Sequence, residues 1–338
     1  MKLDLIAFTS RGAALAEKLM ELFPDTSAAV PEKCRTGKLQ SLDDIHDWTK
    51  SKFQTGSTLI FIGATGIAVR AIAPFIKDKT TDAAVICIDE YGENIIPLLS
   101  GHIGGANRTA EKIAKALDGR AIITTATDLG GVFAVDDWAA RNNYVIANPS
   151  AIKHISAVLL EKKEIGLQCD YPIIGGIPPG ISTDASTEYG IEIALKSTDP
   201  FPVTLHIIPR VIVAGIGCQK GVPYERLEEK LFRTLAQFDI PVEAVGLIAT
   251  IDLKSNEAGL MELCEKLNVG FVDYSAEELM QAPGEFEKSE IVLKVTGTDN
   301  VCQRAVVCAS AKLFTGKMAE NGMAIALGVL EHQIRFGA

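Results

Sequence analysis

The sequence predicts an α/β fold, with two α/β domains of mainly parallel sheet joined by a small middle module. Three observations predict it. Short β-branched runs alternate with helix-patterned stretches through the first third of the chain, the rhythm of βαβ units. Proline and glycine then cluster between residues 136 and 208 around short strands. After Ile208-Pro209-Arg210 a second regular series of strand, turn and helix begins. The expected boundaries are 1–135, 136–208 and 209–338.

Residues 3–8 read as a strand, 12–22 as a helix, 58–62 as a strand and 64–72 as a helix start. Residues 83–88 and 121–124 are further strands, with 106–117 helical between them. Ligands of such sheets lie beyond the carboxyl ends of the strands. Both glycine-rich turns, at Gly63 and at His102, are expected there. In the middle module, Pro149, Pro172, Pro178, Pro179, Gly175, Gly176 and Gly180 surround strands at 191–195 and 203–207, leaving little room for a site. Beyond it, 211–214 is a strand, Gly215-Ile216-Gly217-Cys218 a turn, and 224–236 a helix with Leu227, Leu231 and Leu235 four apart. Residues 245–251, a helix at 259–267, 270–272 and a helix after Thr298 complete the last unit.

At 338 residues the chain has room for two to three domains. Its net charge of −10 argues against nucleic acid, which needs clustered Lys and Arg. A local basic pocket on an acidic surface still admits an anionic small molecule. The cysteines, seven in number, are scattered with no Cys-x-x-Cys pair, as expected of reduced thiols in a cytoplasm. Asp4 stands where a signal peptide would be apolar, and residues 59–76 are broken by Gly63, Gly66, Arg70 and Pro74. No membrane span is indicated.

Ser100-Gly101-His102-Ile103-Gly104-Gly105-Ala106-Asn107-Arg108 is the richest stretch. Small residues let backbone approach a ligand, the following helix turns its N–H groups to the same spot, and one imidazole stands beside them. Gly63-Ala64-Thr65-Gly66-Ile67-Ala68-Val69-Arg70 follows a strand and opens a helix, so Thr65, Arg70 and backbone N–H groups are candidate anion donors. The bland alternative is a tight βα connection. It matches neither a Walker loop nor Gly-x-Gly-x-x-Gly, so ATP and NAD are not supported. Asp89-Glu90 closes a strand and offers a general base or a partner for histidine, or simply a solvated strand end. In the last unit, Lys220 is the candidate cation after Gly215 and Gly217, and Cys218 reads as a packing residue. Asp252 and Lys254 are expected on one face, as substrate contacts or a surface ion pair. His46, His154, His206 and His332 read as structural, with no metal-ligand spacing.

The Gly63–Arg70 and Ser100–Asn107 motifs, with Gly215-Ile216-Gly217-Cys218 and Thr250-Ile251-Asp252-Leu253-Lys254, resemble the cobalamin biosynthesis protein G family, the cobalt-precorrin-5A hydrolases. The likeness covers nearly the whole chain. One departure is Gln303, after Gly297-Thr298-Asp299-Asn300, where the family pattern has glutamate. The resemblance implies opening of a δ-lactone on a cobalt tetrapyrrole and loss of a two-carbon fragment as acetaldehyde. His102 is then expected as base, oriented by Asp89 or Glu90, with oxyanion donors from the Gly104-Gly105 backbone. Arg70, Arg108 and Lys220 are expected to pair with the substrate's carboxylates. The macrocycle is expected between the N- and C-terminal domains. No cofactor or protein-held metal is expected, since the cobalt arrives in the substrate, and a homodimer is one assembly open to it. The competing readings are a non-catalytic tetrapyrrole carrier and a phosphosugar or nucleotide enzyme.

Overall fold

A computed structural model describes residues 2–78, 81–102, 104–125, 130–184 and 186–337. Ile103 of the His102 motif lies outside the described residues. The chain divides into two compact units, Met1–Ala140 and Arg141–Ala338.

In the first unit the strands are β1 (Leu3–Ala7), β2 (Thr26–Val30), β3 (Gln40–Ser41), β4 (Thr58–Ile62), β5 (Ala84–Ile88), β6 (Asn94–Leu99) and β7 (Arg120–Ala121). They form one sheet in the order β3-β2-β1-β4-β5-β6-β7. Its helices are α1 (Ser10–Leu22), α2 (Ile45–Lys52), α3 (Thr65–Ile72), α4 (Ala106–Leu117) and α5 (Val135–Arg141). Strand side chains alternate between faces. Leu3, Leu5, Ala7, Ile60 and Ile86 therefore bury against α1 and α4, while Ile6, Leu59, Phe61 and Val85 bury against α2 and α3.

β1 to β5 run parallel, but β6 runs antiparallel to β5. From the sequence no strand is placed at 94–99, where Pro97 lacks the N–H that a central strand donates. Its partner β7 is short and reaches only Asn94 and Ile95, so Pro97 faces no ladder on that side. Residues 121–124, expected as a strand, pair only through Ala121 and continue with one bond, Ile122 N–H to Ile95 O at 2.8 Å.

The second unit holds two sheets. In the first, β8 (Val145–Ile146), β9 (Ile165–Cys169), β10 (Ile181–Ser182), β11 (Tyr189–Ile193) and β12 (Val203–Ile208) lie in the order β10-β9-β11-β12-β8, with only β8 antiparallel. α6 (Ile152–Leu160) packs on it. In the other, β13 (Ile212–Cys218), β14 (Val245–Ile251) and β15 (Gly270–Tyr274) run parallel, and β16 (Lys312–Leu313), β17 (Met318–Glu320) and β18 (Met323–Val329) complete the far side through antiparallel pairing. Leu227, Leu231 and Leu235 of α7 (Tyr224–Gln237) bury one face together with α8 (Ala258–Leu267). α9 (Ala276–Gln281) and α11 (Cys302–Cys308) cover the other, and α10 (Glu290–Thr296) lies between them in sequence. All three sheets are mixed, the first two mostly parallel and the third parallel only through β13, β14 and β15, and helices cover them in the α/β architecture expected.

Gly215 shows what such packing requires. It is buried in β13 directly beneath the start of α11, and a Cβ there would overlap the Cys302 carbonyl oxygen. The glycine read as a ligand contact therefore admits helix backbone to the sheet. Among the described residues no helix is long and apolar enough to cross a membrane.

Candidate active site

The reversal of β6 decides where the two glycine motifs go. Gly63 follows β4 and donates its N–H to Ile88 O at 2.8 Å, at the carboxyl edge of the parallel strands. Leu99, the last residue of β6, sits opposite Val85 near the start of β5. The next residue, Ser100, donates from its hydroxyl to Asp82 O at 3.0 Å. The two turns thus lie at opposite edges, separated by five residues of β5, about 16 Å at ~3.3 Å per residue. The expectation that both flank one strand-end edge is overturned. Gly63-Ala64-Thr65-Gly66 stands alone, with Thr65, Gly66 and Arg70 exposed and Arg70 Nη1 donating back to Gly66 O at 3.2 Å.

Asp89 and Glu90 go with the Gly63 edge, so neither orients His102. Asp89 accepts N–H groups from Tyr91, Glu93 and Asn94 and the Asn94 side chain, at 2.6 to 3.3 Å. It holds the β5–β6 turn. Burial acts to raise its carboxyl, but these donors prevail and keep it below the usual carboxylate range. Glu90 accepts the Thr9 hydroxyl at 2.8 Å. Because the Asp89 carboxyl is depressed by folding, its contribution to stability is whole above the unfolded carboxyl value. That contribution is lost as pH falls through the lower folded one. Asp89→Asn should therefore lower the melting temperature near pH 7 and have a smaller effect at about pH 3. A gap of constant size at both values would contradict this account of Asp89.

His102 finds a different acid. Its Nδ1 lies 3.1 Å from Oδ2 of Asp136, on the first turn of α5, and each side chain is only 12% exposed. Asp136 is the partner of His102 that reading the sequence missed; its signal there is an acid pair, Asp136-Asp137, opening a helix with Val135, Trp138 and Ala139 buried. Burial acts to raise the Asp136 carboxyl, while the hydrogen bond and charge of His102 and nearby backbone donors hold it below its ordinary value.

The loop is built for that ring and not as an open anion cradle. Gly105 N–H donates to His102 O (2.9 Å), Ala106 N–H to Ser100 O (3.2 Å) and Asn107 N–H to Gly101 O (3.0 Å). These are the N–H groups a helix start leaves over, and the loop's own carbonyls take them. The expected oxyanion donor at Gly105 is therefore committed. Gly105 adopts φ +77°, the left-handed turn that lets the chain double back into α4. Ser100 is also left-handed, at φ +54°, a strained conformation held by its hydroxyl bond. Asn107 Nδ2 reaches Thr125 Oγ1 at 3.1 Å. Gly104 is exposed, Gly101 half-buried, and the Arg108 guanidinium folds over Gly105.

In the second unit Lys254 is engaged by Glu257 (2.8 Å), whose other oxygen accepts Gly221 N–H at 2.6 Å. Asp252 stays exposed, because the strand ends at Ile251 and residues 252–254 form a 3-10 turn. The same-face pair expected of Asp252 and Lys254 does not form. Lys220 is exposed, and Gly217 packs beside Val301. Burial pushes the Cys218 thiol up, with Lys254 opposing, which suits packing and not nucleophilic attack. His206 is buried with Nε2 3.1 Å from Ala194 O, and His332 Nε2 meets Tyr144 Oη at 2.8 Å, both structural as expected. A cavity of about 490 Å³ opens on the middle sheet, contrary to the expectation of little room there. Its charged lining of Glu161, Lys163, Glu164 and Glu188 has an acid excess that repels a polycarboxylate.

Two family domains match the chain: cobalamin synthesis G N-terminal over residues 47–128, and cobalamin synthesis G C-terminus over 212–328. A cobalt-precorrin-5A hydrolase from Salmonella typhimurium is 33% identical over 96% of this chain and 97% of its own length. The chain belongs to the cobalamin synthesis G family. A second relative with the same description, from Priestia megaterium, is 30% identical over 90% of this chain and 87% of its own. Gln303, where the resemblance leads one to expect glutamate, is buried in the first turn of α11. Its Oε1 accepts from Asn300 Nδ2 (2.6 Å) and Glu287 N–H (3.2 Å) in a site where Gln303 is 5% exposed. These two bonds make the Gln303 side chain a loop anchor.

Proposed function

We propose that this chain is a hydrolase of anaerobic cobalamin biosynthesis, opening the δ-lactone of cobalt-precorrin-5A and releasing acetaldehyde to leave cobalt-precorrin-5B. The observation that carries the reading is the identity of 33% over 96% of the chain with a relative so described. The His102–Asp136 pair supplies a residue for the chemistry. Water attacking the lactone carbonyl must lose a proton, and a positioned base at that step is worth about 10²–10⁴-fold. Acyl–oxygen cleavage then gives a carboxylate and a hydroxyethyl arm. Removal of the arm's hydroxyl proton expels acetaldehyde by retro-aldol cleavage, the bonding pair passing into the macrocycle. His102 serves both steps.

Arg108, in the first turn of α4 after the His102 loop, is a cation beside that site for a substrate carboxylate, and Arg70 and Lys220 are carried only by the resemblance. The cobalt belongs to the substrate. The scattered cysteines, all free, suit a cytoplasmic enzyme. Anaerobic incubation with cobalt-precorrin-5A and measurement of acetaldehyde tests the reading. Many equivalents per protein are expected, whereas stoichiometric binding without acetaldehyde would make the chain a carrier.

A further inference from the structure

We propose that Asp136 is the positioning residue of the catalytic base: its carboxylate, carried on α5, fixes the ring orientation and tautomer of His102 and so presents Nε2 for proton transfer. This rests on His102 acting as base. A neutral imidazole that donates from Nδ1 to a carboxylate has its lone pair on Nε2. When Nε2 takes the proton from water, the ring becomes an imidazolium beside a fixed negative charge. The proton stays on the histidine, and the carboxylate stabilises the ion without accepting it.

The pair is set from both sides. On the loop side, the Ser100 hydroxyl, the carbonyls that cap α4, and Gly105 hold the backbone at His102. On the other side, Val135, Trp138 and Ala139 bury α5, and the Trp138 ring packs 5.6 Å from that of Phe133. A carboxylate on so pinned a helix needs little rearrangement to serve. Asp136 lies inside the first turn of α5, where its other carboxylate oxygen accepts Asp137 N–H at 3.1 Å while Oδ2 faces His102. The contact joins residues 34 apart, and Asp136 lies beyond the matched N-terminal family domain, which ends at 128.

The test compares Asp136→Asn, Asp136→Glu, His102→Ala and the double variant His102→Ala with Asp136→Asn, by acetaldehyde release from cobalt-precorrin-5A. Melting temperature and circular dichroism report the fold. Asp136→Asn is expected to lower kcat about 10²–10⁴-fold with KM changed less than about threefold, Asp136→Glu to recover part of it, and the double variant to be no slower than His102→Ala. A native fold with unaltered kcat in Asp136→Asn overturns the proposal and leaves His102 as base, as do losses that simply multiply in the double variant. Normal turnover by His102→Ala overturns both readings. If Asp136→Asn fails to fold, Asp136→Glu decides: full kcat after the carboxylate is moved by a methylene overturns the proposal, and reduced kcat in a native fold supports it.

Discussion

His102→Ala is expected to abolish most turnover, lowering kcat by about 10²–10⁴-fold while the protein stays folded. The size follows from the chemistry: both steps need a proton removed from oxygen, and His102 is the imidazole on the loop with a carboxylate partner at 3.1 Å. The structure bears on the control as well as on the effect. The loop's own bonds, Gly105 N–H to His102 O and Ala106 N–H to Ser100 O, are backbone contacts that the substitution leaves intact. The fold is therefore expected to survive loss of the ring, although leaving the largely buried Asp136 carboxylate without it costs some stability. Single-turnover acetaldehyde release, with binding of substrate followed by its absorbance, separates chemistry from affinity. Unchanged turnover would remove His102 from the mechanism, and equal losses of binding and rate would make it a substrate contact instead.

Arg304→Leu is expected to destabilise the protein strongly, by about 3–5 kcal/mol. Arg304 is 7% exposed; its Nε donates to Asp299 Oδ1 at 2.7 Å, its Nη1 to Leu279 O and Met280 O, and its guanidinium lies over the Phe286 ring. Removing it leaves Asp299, itself 6% exposed, as a buried carboxylate without its cation. It also takes a donor from the Leu279 and Met280 carbonyls at the end of α9. For a unit of this size each kcal/mol lowers the melting temperature by about 2–4 °C, so a fall of roughly 10 °C is expected in calorimetry. Pairing Arg304→Leu with Asp299→Leu should regain much of the loss, because no charge is then left buried. A loss below about 1 kcal/mol for the single change would show that water reaches Asp299. The Gly297-Thr298-Asp299-Asn300 turn belongs to this network, so the last of the family-like motifs serves the fold.

Much of the molecule was legible residue by residue. The strands at 58–62 and 245–251 follow from short apolar, β-branched runs, and the helices at 106–117 and 224–236 from apolar residues three or four apart, which are properties of neighbours in sequence. His102 stood out because glycines around a histidine make an unusual loop. Asp89 misled because a carboxylate closing a strand looks the same whether it holds a turn or a catalytic ring. The loop N–H groups misled for a related reason: an open helix start and one closed by Ser100, Gly101 and His102 carbonyls have the same sequence.

The sequence by itself determined many of the elements, the α/β class and the family, which depend on local hydrogen bonding, side-chain period and motif. Only the tertiary structure decided that β6 runs backwards beside β5, so that His102 and the Gly63 turn occupy opposite edges. Only it brought Asp136 to His102. Strand direction and a contact 34 residues long are fixed by which surfaces bury against one another, and that free energy belongs to the assembled sheet and helices, not to any stretch of chain.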